Sequence, residues 1–142
     1  HLENERDAWV KRHAGAFDRV LVDAPCSGTG TWRRNPDARW TLTAQDVTEL
    51  RELQARILAS ASRLVKPGGR LVYVTCPILP PENERQADAF AESPEFTRLK
   101  ISQVWAETIG GKCPSPDPYL RLSPARNGTD GFFVAVFERK TA

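Results

Sequence analysis

The 142-residue sequence contains no methionine, only two histidines and three cysteines, and no apolar run reaching the roughly 18 residues that a membrane-spanning helix needs. A translated chain starts with methionine, so a sequence that begins at His1 and never uses that residue is expected to be a piece of a longer protein. No basic-then-apolar stretch opens it, so it does not read as a secretory signal. Cys26, Cys76 and Cys113 are odd in number, and no two of them stand at the C-x-x-C spacing of a zinc site. His1 and His13 add no convincing ligand set, so no metal is expected. A disulfide framework is equally unexpected, which points to a reducing, cytoplasmic compartment. Charge of one sign is scarce too: the net charge is +2, too small for nucleic-acid binding to follow from it alone.

What the sequence does contain fits one domain with an ordinary core, 40% of residues being hydrophobic and 27% charged. Residues 3–13 can form a short helix. Phe17 to Val22 is a β-branched, apolar run halted near Pro25, as in a buried strand. The stretch from Ser27 to Trp40 is rich in Gly, Thr and Arg and reads as a loop. Thr43 and Asp46 form a capping-box-like start to a helix whose apolar face is Val47, Leu50, Ile57, Leu58, Ala61, Leu64 and Val65. Lys66 to Gly69 is expected to end that helix. Arg70 to Thr75 is a second strand, apolar on both faces. Pro80 and Pro81 precede a second helix, with Glu82 and Glu84 in its first turn. Phe96 to Ile101, Tyr119 to Leu122 and Gly131 to Glu138 read as further strands, with a loop over Gly110 to Pro118 and a turn over Pro124 to Asp130. Strands alternating with helices predict an α/β sheet with helical crossovers.

Two strands joined by a crossover helix normally run parallel, so their carboxyl ends share one sheet edge, where ligands bind in open α/β folds. The first strand ends in Asp23-Ala24-Pro25-Cys26 and the second in Thr75-Cys76-Pro77. A carboxylate and two thiols, Asp23, Cys26 and Cys76, are therefore predicted to converge. A thiolate is a strong nucleophile. Its addition to carbon 6 of cytosine makes carbon 5 reactive toward a methyl donor. A nearby carboxyl group can bind the base edge, and a second thiol can assist product release. Taken singly, each residue has a plainer reading: a buried cysteine often only fills space, and Asp23 could cap a turn. The Ser27–Gly30 run lacks the lysine and following helix of a phosphate loop. Arg33, Arg34 and Arg39, beside Trp32 and Trp40, could be a solvated loop or a phosphate-binding patch.

The segment D-A-P-C-S-G-T-G-T (Asp23 to Thr31) resembles a motif of the Nol–Nop–Sun RNA cytosine-5 methyltransferases, of the bacterial Sun/Fmu type. So do R-R-N-P-D-A-R-W (Arg33 to Trp40), L-V-K-P-G-G-R-L-V-Y-V-T-C (Leu64 to Cys76), P-E-N-E (Pro81 to Glu84) and G-T-D-G-F-F-V-A (Gly128 to Ala135). The resemblance implies the C-terminal part of a Rossmann-like, S-adenosylmethionine-dependent methyltransferase fold, mostly parallel with a final antiparallel strand. It implies that Cys76 attacks carbon 6, that Cys26 aids release of the methylated product, and that Asp23 touches target base or cofactor. It also implies that Arg33, Arg34 and Arg39 lie near RNA, ribosomal RNA by the family's habit. The sequence departs from the pattern at Pro77, where family members usually carry serine. It also lacks the glycine-rich cofactor loop, so residues 1–142 are expected to be a partial catalytic domain without its cofactor-binding half and inactive alone. The exposed sheet edge left behind is expected to pair, for instance in a homodimer. Two other classes remain: an amino-methylating nucleic-acid methyltransferase, which would carry D/N-P-P-Y/F at the first strand end, and a non-catalytic RNA-binding module.

Overall fold

The computed structural model describes residues 7–141. In chain order it comprises α1 (Ala8–Arg12), β1 (Phe17–Asp23), α2 (Ala38–Thr41), α3 (Ala44–Ser62), β2 (Val65–Thr75), α4 (Glu84–Ala91), β3 (Phe96–Leu99), α5 (Ile101–Thr108), β4 (Leu120–Leu122), α6 (Pro124–Asn127) and β5 (Phe132–Arg139). The helix expected over residues 3–13 is present as α1; its residues 3–6 lie outside the described residues.

The sheet runs β1-β2-β5-β3, with β4 also on β5. β1 and β2 are parallel, and β5 is antiparallel to β2, β3 and β4. Four strands therefore point one way and β5 alone reverses, in accord with a mostly parallel sheet closed by an antiparallel strand. This is the Rossmann-like α/β architecture that the alternating pattern predicts.

α3 begins as its sequence dictates. The Thr43 hydroxyl accepts the Asp46 N–H at 3.1 Å, and the Asp46 carboxylate accepts the Thr43 N–H at 2.7 Å. The helix ends at Ser62, earlier than Lys66–Gly69 suggests. The β1 side captures the chain first: Gly15 donates to the Arg63 carbonyl at 2.8 Å and Phe17 to the Leu64 carbonyl at 3.0 Å. Lys66–Gly69 then becomes an irregularity inside β2, which shifts register between Phe17↔Val65 and Arg19↔Arg70. α4 likewise starts at Glu84 rather than at Glu82. α5 falls where the sequence shows only the tail of a strand.

Leu58 and Ala61 of α3 and Ala87 of α4 pack with Leu71, Tyr73, Phe133, Ala135 and Phe137 of the sheet, all buried. Phe90 of α4 meets Phe96 and Phe137 at centroid distances of 5.2 and 4.8 Å. Side chains alternate along β1, so Val22 points into this core and Leu21 points away, 68% exposed. Among the described residues the outer edge of β1 has no strand partner. Parallel sheets normally have both faces covered and no bare apolar edge. The 142-residue chain is therefore predicted to self-associate through β1. Sedimentation velocity checks this, and Leu21→Lys should return it to monomer; a concentration-independent monomer without the substitution would count against it.

Candidate active site

Both strand ends carry the side chains of interest out of the sheet at one edge. β1 closes with Asp23 opposite Val74, and the Ala24 N–H donates to the Val74 carbonyl at 3.1 Å. Pro25 cannot extend the ladder, so the chain turns and Cys26 follows. β2 closes one residue later at Thr75, and Cys76 follows. The two sulfurs lie 3.0 Å apart, both half-buried and both free. Asp23 is exposed at the same edge. The structure thus brings Asp23, Cys26 and Cys76 to one place, as the crossover predicts.

What holds the two turns together was not foreseen. The turn Thr29–Thr31 lies directly on the Cys76 loop: the Gly30 N–H donates to the Cys76 carbonyl at 3.0 Å, and the Ile78 N–H donates to the Thr29 hydroxyl at 2.8 Å. Gly131, just before β5, donates to the Gly30 carbonyl at 2.8 Å. A Cβ on Gly30 would sit 2.1 Å from the Cys76 carbonyl oxygen and 2.7 Å from the Gly131 Cα, so only glycine fits. From α3, the fully buried Gln54 amide donates to the Pro25 carbonyl at 2.9 Å. From the segment before α4, Glu82 takes hydrogen bonds from the Ser27 N–H at 2.8 Å and the Ser27 hydroxyl at 2.5 Å. Its neighbour Asn83 accepts from the Thr75 hydroxyl at 2.6 Å and donates to the Pro77 carbonyl at 2.8 Å, bracing Cys76 from both sides.

Glu82 was expected at the positive end of a helix. It is instead fully buried, its backbone carbonyl taken by the Tyr73 hydroxyl at 2.8 Å. The signal for Glu82 and Asn83 was the P-E-N-E run itself, whose polar residues read as ordinary helix-start chemistry. Nothing local marks Gln54, a polar residue inside an amphipathic helix. Pro77 is accommodated: it is fully buried, and the loop satisfies its carbonyl through Asn83.

The thiols titrate as a pair. Cys26 is drawn down to about 6, first because the Cys76 thiol hydrogen-bonds it; burial opposes this. Cys76 is pushed well above the ordinary thiol range, first by that same hydrogen bond, then by burial and by the neighbouring charges of Cys26 and Asp23. Together these describe one proton shared by two sulfurs: the first leaves easily because the remaining S–H solvates the thiolate, and the second is held because two thiolates would repel. Which sulfur carries the charge is decided by the neighbours.

Arg33, Arg34 and Arg39 lie on the exposed stretch leading through α2. Arg34 is not free, being paired with Asp130, one residue before Gly131. The Arg39 guanidinium lies 4.3 Å from the centroid of the Trp40 ring, which is 74% exposed. Among the described residues no group of His, Cys, Asp or Glu is arranged to hold a metal ion, and no helix is long and apolar enough to cross a membrane.

A Rossmann-like sheet with two thiols at its carboxyl edge defines a class, and comparison with known proteins narrows it. A family model described as "16S rRNA methyltransferase RsmB/F" matches residues 3–138, and the chain belongs to that family. It is 42% identical over 136 residues to the ribosomal RNA small subunit methyltransferase B of Sodalis glossinidius, covering 95% of this chain and 28% of that relative. Among solved structures it is similar to PH0851, with a TM-score of 0.77 and 38% identity over 89% of this chain and 27% of that one. It is also similar to NSun6 from Pyrococcus horikoshii solved with SFG, with a TM-score of 0.67 and 25% identity over 86% of this chain and 29% of that one.

Two outcomes are expected. Gly30→Ala should cost about 2–4 kcal/mol in urea unfolding, because two backbone segments must separate. Gly28→Ala, at φ +70° with only an ordinary contact to the Thr31 hydroxyl at 3.5 Å, should cost about 1 kcal/mol; equal losses would show that the contact is unimportant. The thiolate absorbance near 240 nm should rise with a first midpoint at about 6, far below the ordinary 9.0. Folding lowers this pKa, so the associated stabilisation is full above pH 9.0 and is lost as the pH falls through about 6. The stability gap between wild type and Cys26→Ser should shrink over that same fall, and a gap flat with pH would contradict the shared proton.

Proposed function

We propose that this chain supplies the thiol-bearing half of a cytoplasmic enzyme that methylates carbon 5 of a cytosine in RNA, ribosomal RNA being the substrate its family indicates. The observation that carries the reading is the 3.0 Å approach of the Cys26 and Cys76 sulfurs beside Asp23 at the carboxyl edge of the sheet. Methylation of an amino group needs no thiol, and a purely RNA-binding module needs no shared proton.

In this reading the target base leaves its stack to reach the sheet edge. The Cys76 thiolate adds to carbon 6, forming the S–C bond and moving electron density to carbon 5. The Asp23 carboxyl binds the N3 and amino edge, which favours that addition. S-adenosylmethionine, when bound, supplies the electrophilic methyl group that carbon 5 accepts. A base then takes the carbon 5 proton, the freed electron pair re-forms the carbon 5–carbon 6 double bond, and the Cys76–carbon 6 bond breaks with its pair returning to the Cys76 sulfur, a release that Cys26 assists from 3.0 Å away. Arg33 and Arg39, with the exposed Trp40, contact RNA; Arg34, held by Asp130, contributes to the shape of the loop as well as its charge.

The residues present fit one wall of a cofactor site. A cavity of about 1050 Å³ runs along the free edge of β1, lined by Val20, Val22, Asp23, Ala24 and Pro25 and by Leu53 and Ile57 of α3. Asp23 is among its lining residues, and its carboxylate can hold a polar group of the donor beside the apolar walls. The structural neighbour solved with SFG, an S-adenosylmethionine analogue, supports this choice of cofactor. The glycine-rich part of the site is assigned to another segment of the longer protein, seated against β1, and the 142-residue chain alone is proposed to be inactive.

The test uses the full-length protein and a single-stranded or looped ribosomal RNA fragment. Cys76→Ala should abolish methylation and leave no covalent protein–RNA band on a denaturing gel. Cys26→Ala should also lose turnover but accumulate that band, because attack proceeds and release is slowed. A band that persists in Cys76→Ala and is missing in Cys26→Ala would reverse the two roles.

A further inference from the structure

Glu82 lies beyond the three residues given chemical roles above, yet it is the buried acidic group in contact with the turn that carries Cys26. It is 0% exposed. Its two carboxylate oxygens accept three hydrogen bonds: from the Ser27 N–H at 2.8 Å, from the Ser27 hydroxyl at 2.5 Å and from the Gln54 amide at 3.1 Å. Two of these donors belong to the residue that follows Cys26. The third, Gln54, also holds the Pro25 carbonyl on the other side of Cys26. The peptide around Cys26 is therefore gripped before and after the thiol by a network centred on one carboxylate. Among the described residues no lysine or arginine is its hydrogen-bond partner, and at this depth little water screens it.

We propose that Glu82 is the positioning residue of the thiol pair, fixing the Cys26 turn through Ser27 and biasing the pair's negative charge away from Cys26 and toward Cys76. The inference rests on the reading in which Cys76 is the nucleophile and adds a device that favours it. Two sulfurs 3.0 Å apart share one proton, and their own chemistry does not distinguish them. A negative group on the Cys26 side disfavours thiolate there, and the electrostatics of Cys26 contain this opposing contribution from Glu82. Asp23 opposes charge on Cys76 in the same way, but it is exposed and solvent weakens its influence. The hydrogen bond from Cys76 still favours thiolate on Cys26 in the resting pair, and the buried carboxylate reduces that preference. Asn83, the next residue, braces Thr75 and Pro77 around Cys76, so one dipeptide sets the spacing of both thiols.

The test reads the thiols directly in the full-length protein. Iodoacetamide labelling over a range of pH is followed by peptide mass spectrometry of Cys26 and Cys76, with Cys113 as internal reference. The ratio of Cys76 to Cys26 labelling in wild-type protein is the baseline. Glu82→Gln keeps the side-chain size and an acceptor for the Ser27 N–H but removes the charge. Its labelling ratio should move toward Cys26 by roughly tenfold, the effect of a relative pKa change of about one between the two thiols. Glu82→Asp, which restores the charge, should bring the ratio back toward wild type. A purely structural role would change both rates together and leave the ratio alone; that outcome in folded Glu82→Gln overturns the proposal. Glu82→Asp labelling with the ratio of Glu82→Gln rather than of wild type overturns it as well. Neither RNA nor methyl donor is present, so labelling as expected in a protein that fails to methylate RNA separates this inference from the proposed activity.

Discussion

Gly30 donates its N–H to the Cys76 carbonyl while its Cα rests against Gly131, and three distant stretches of chain meet at that point. One is the turn after Cys26, one is the loop bearing Cys76, and one is the approach to β5. Each hydrogen bond there contributes only about 1 kcal/mol net. The steric demand is stricter: no Cβ can stand between the backbones, so the loops either touch or lose their register. The approach of the two sulfurs depends on this contact, which the Ile78 N–H reinforces by donating to the Thr29 hydroxyl of the same turn.

Around that contact the protein buries polar groups rather than hydrocarbon. Ser27, Gln54, Thr75, Glu82 and Asn83 form hydrogen-bonded links beneath the thiols. Such a network in low dielectric is stabilising only when its members are satisfied. Here the satisfaction is close to complete, with the Gln54 carbonyl oxygen as an orphan within it; the Trp32 indole N–H and one Asp130 oxygen are orphaned nearby. An apolar filling would have left the positions of the turns free to slide. Directional bonds do not, and a reaction between two sulfurs and a base tolerates little sliding.

The strand ends were legible because apolar, β-branched runs stop at Pro25 and Pro77, and because a helix between parallel strands forces both ends to one edge. That reasoning carried Asp23, Cys26 and Cys76 correctly into proximity. The capping box at Thr43 was legible because it is a local exchange between residues three apart. The end of α3 was not: Lys66–Gly69 has every local mark of a helix stop, but hydrogen bonds from Gly15 and Phe17 to Arg63 and Leu64 end the helix sooner. Glu82 was misplaced for a similar reason. Its preference for a helix N-terminus is worth a fraction of a kcal/mol to about 1 kcal/mol, and three hydrogen bonds from residues 28 and 55 positions away outweigh it. Arg34 looked like a free cation until Asp130, far along the chain, was seen beside it. In each case the deciding partner is remote in sequence and adjacent in space.

β5 stands between β2 on one side and β3 and β4 on the other, yet it is the last of these strands in chain order. During synthesis β1 and β2 can pair as soon as α3 has formed, because their crossover is complete. β3 and β4 have no sheet to join until β5 emerges. The core side chains Phe133, Ala135 and Phe137 and the backbone of Gly131 arrive with it. Core closure and completion of the thiol loops therefore coincide as a late event on the ribosome, and a nascent chain stopped short of β5 would hold both cysteines without the scaffold that brings them into register.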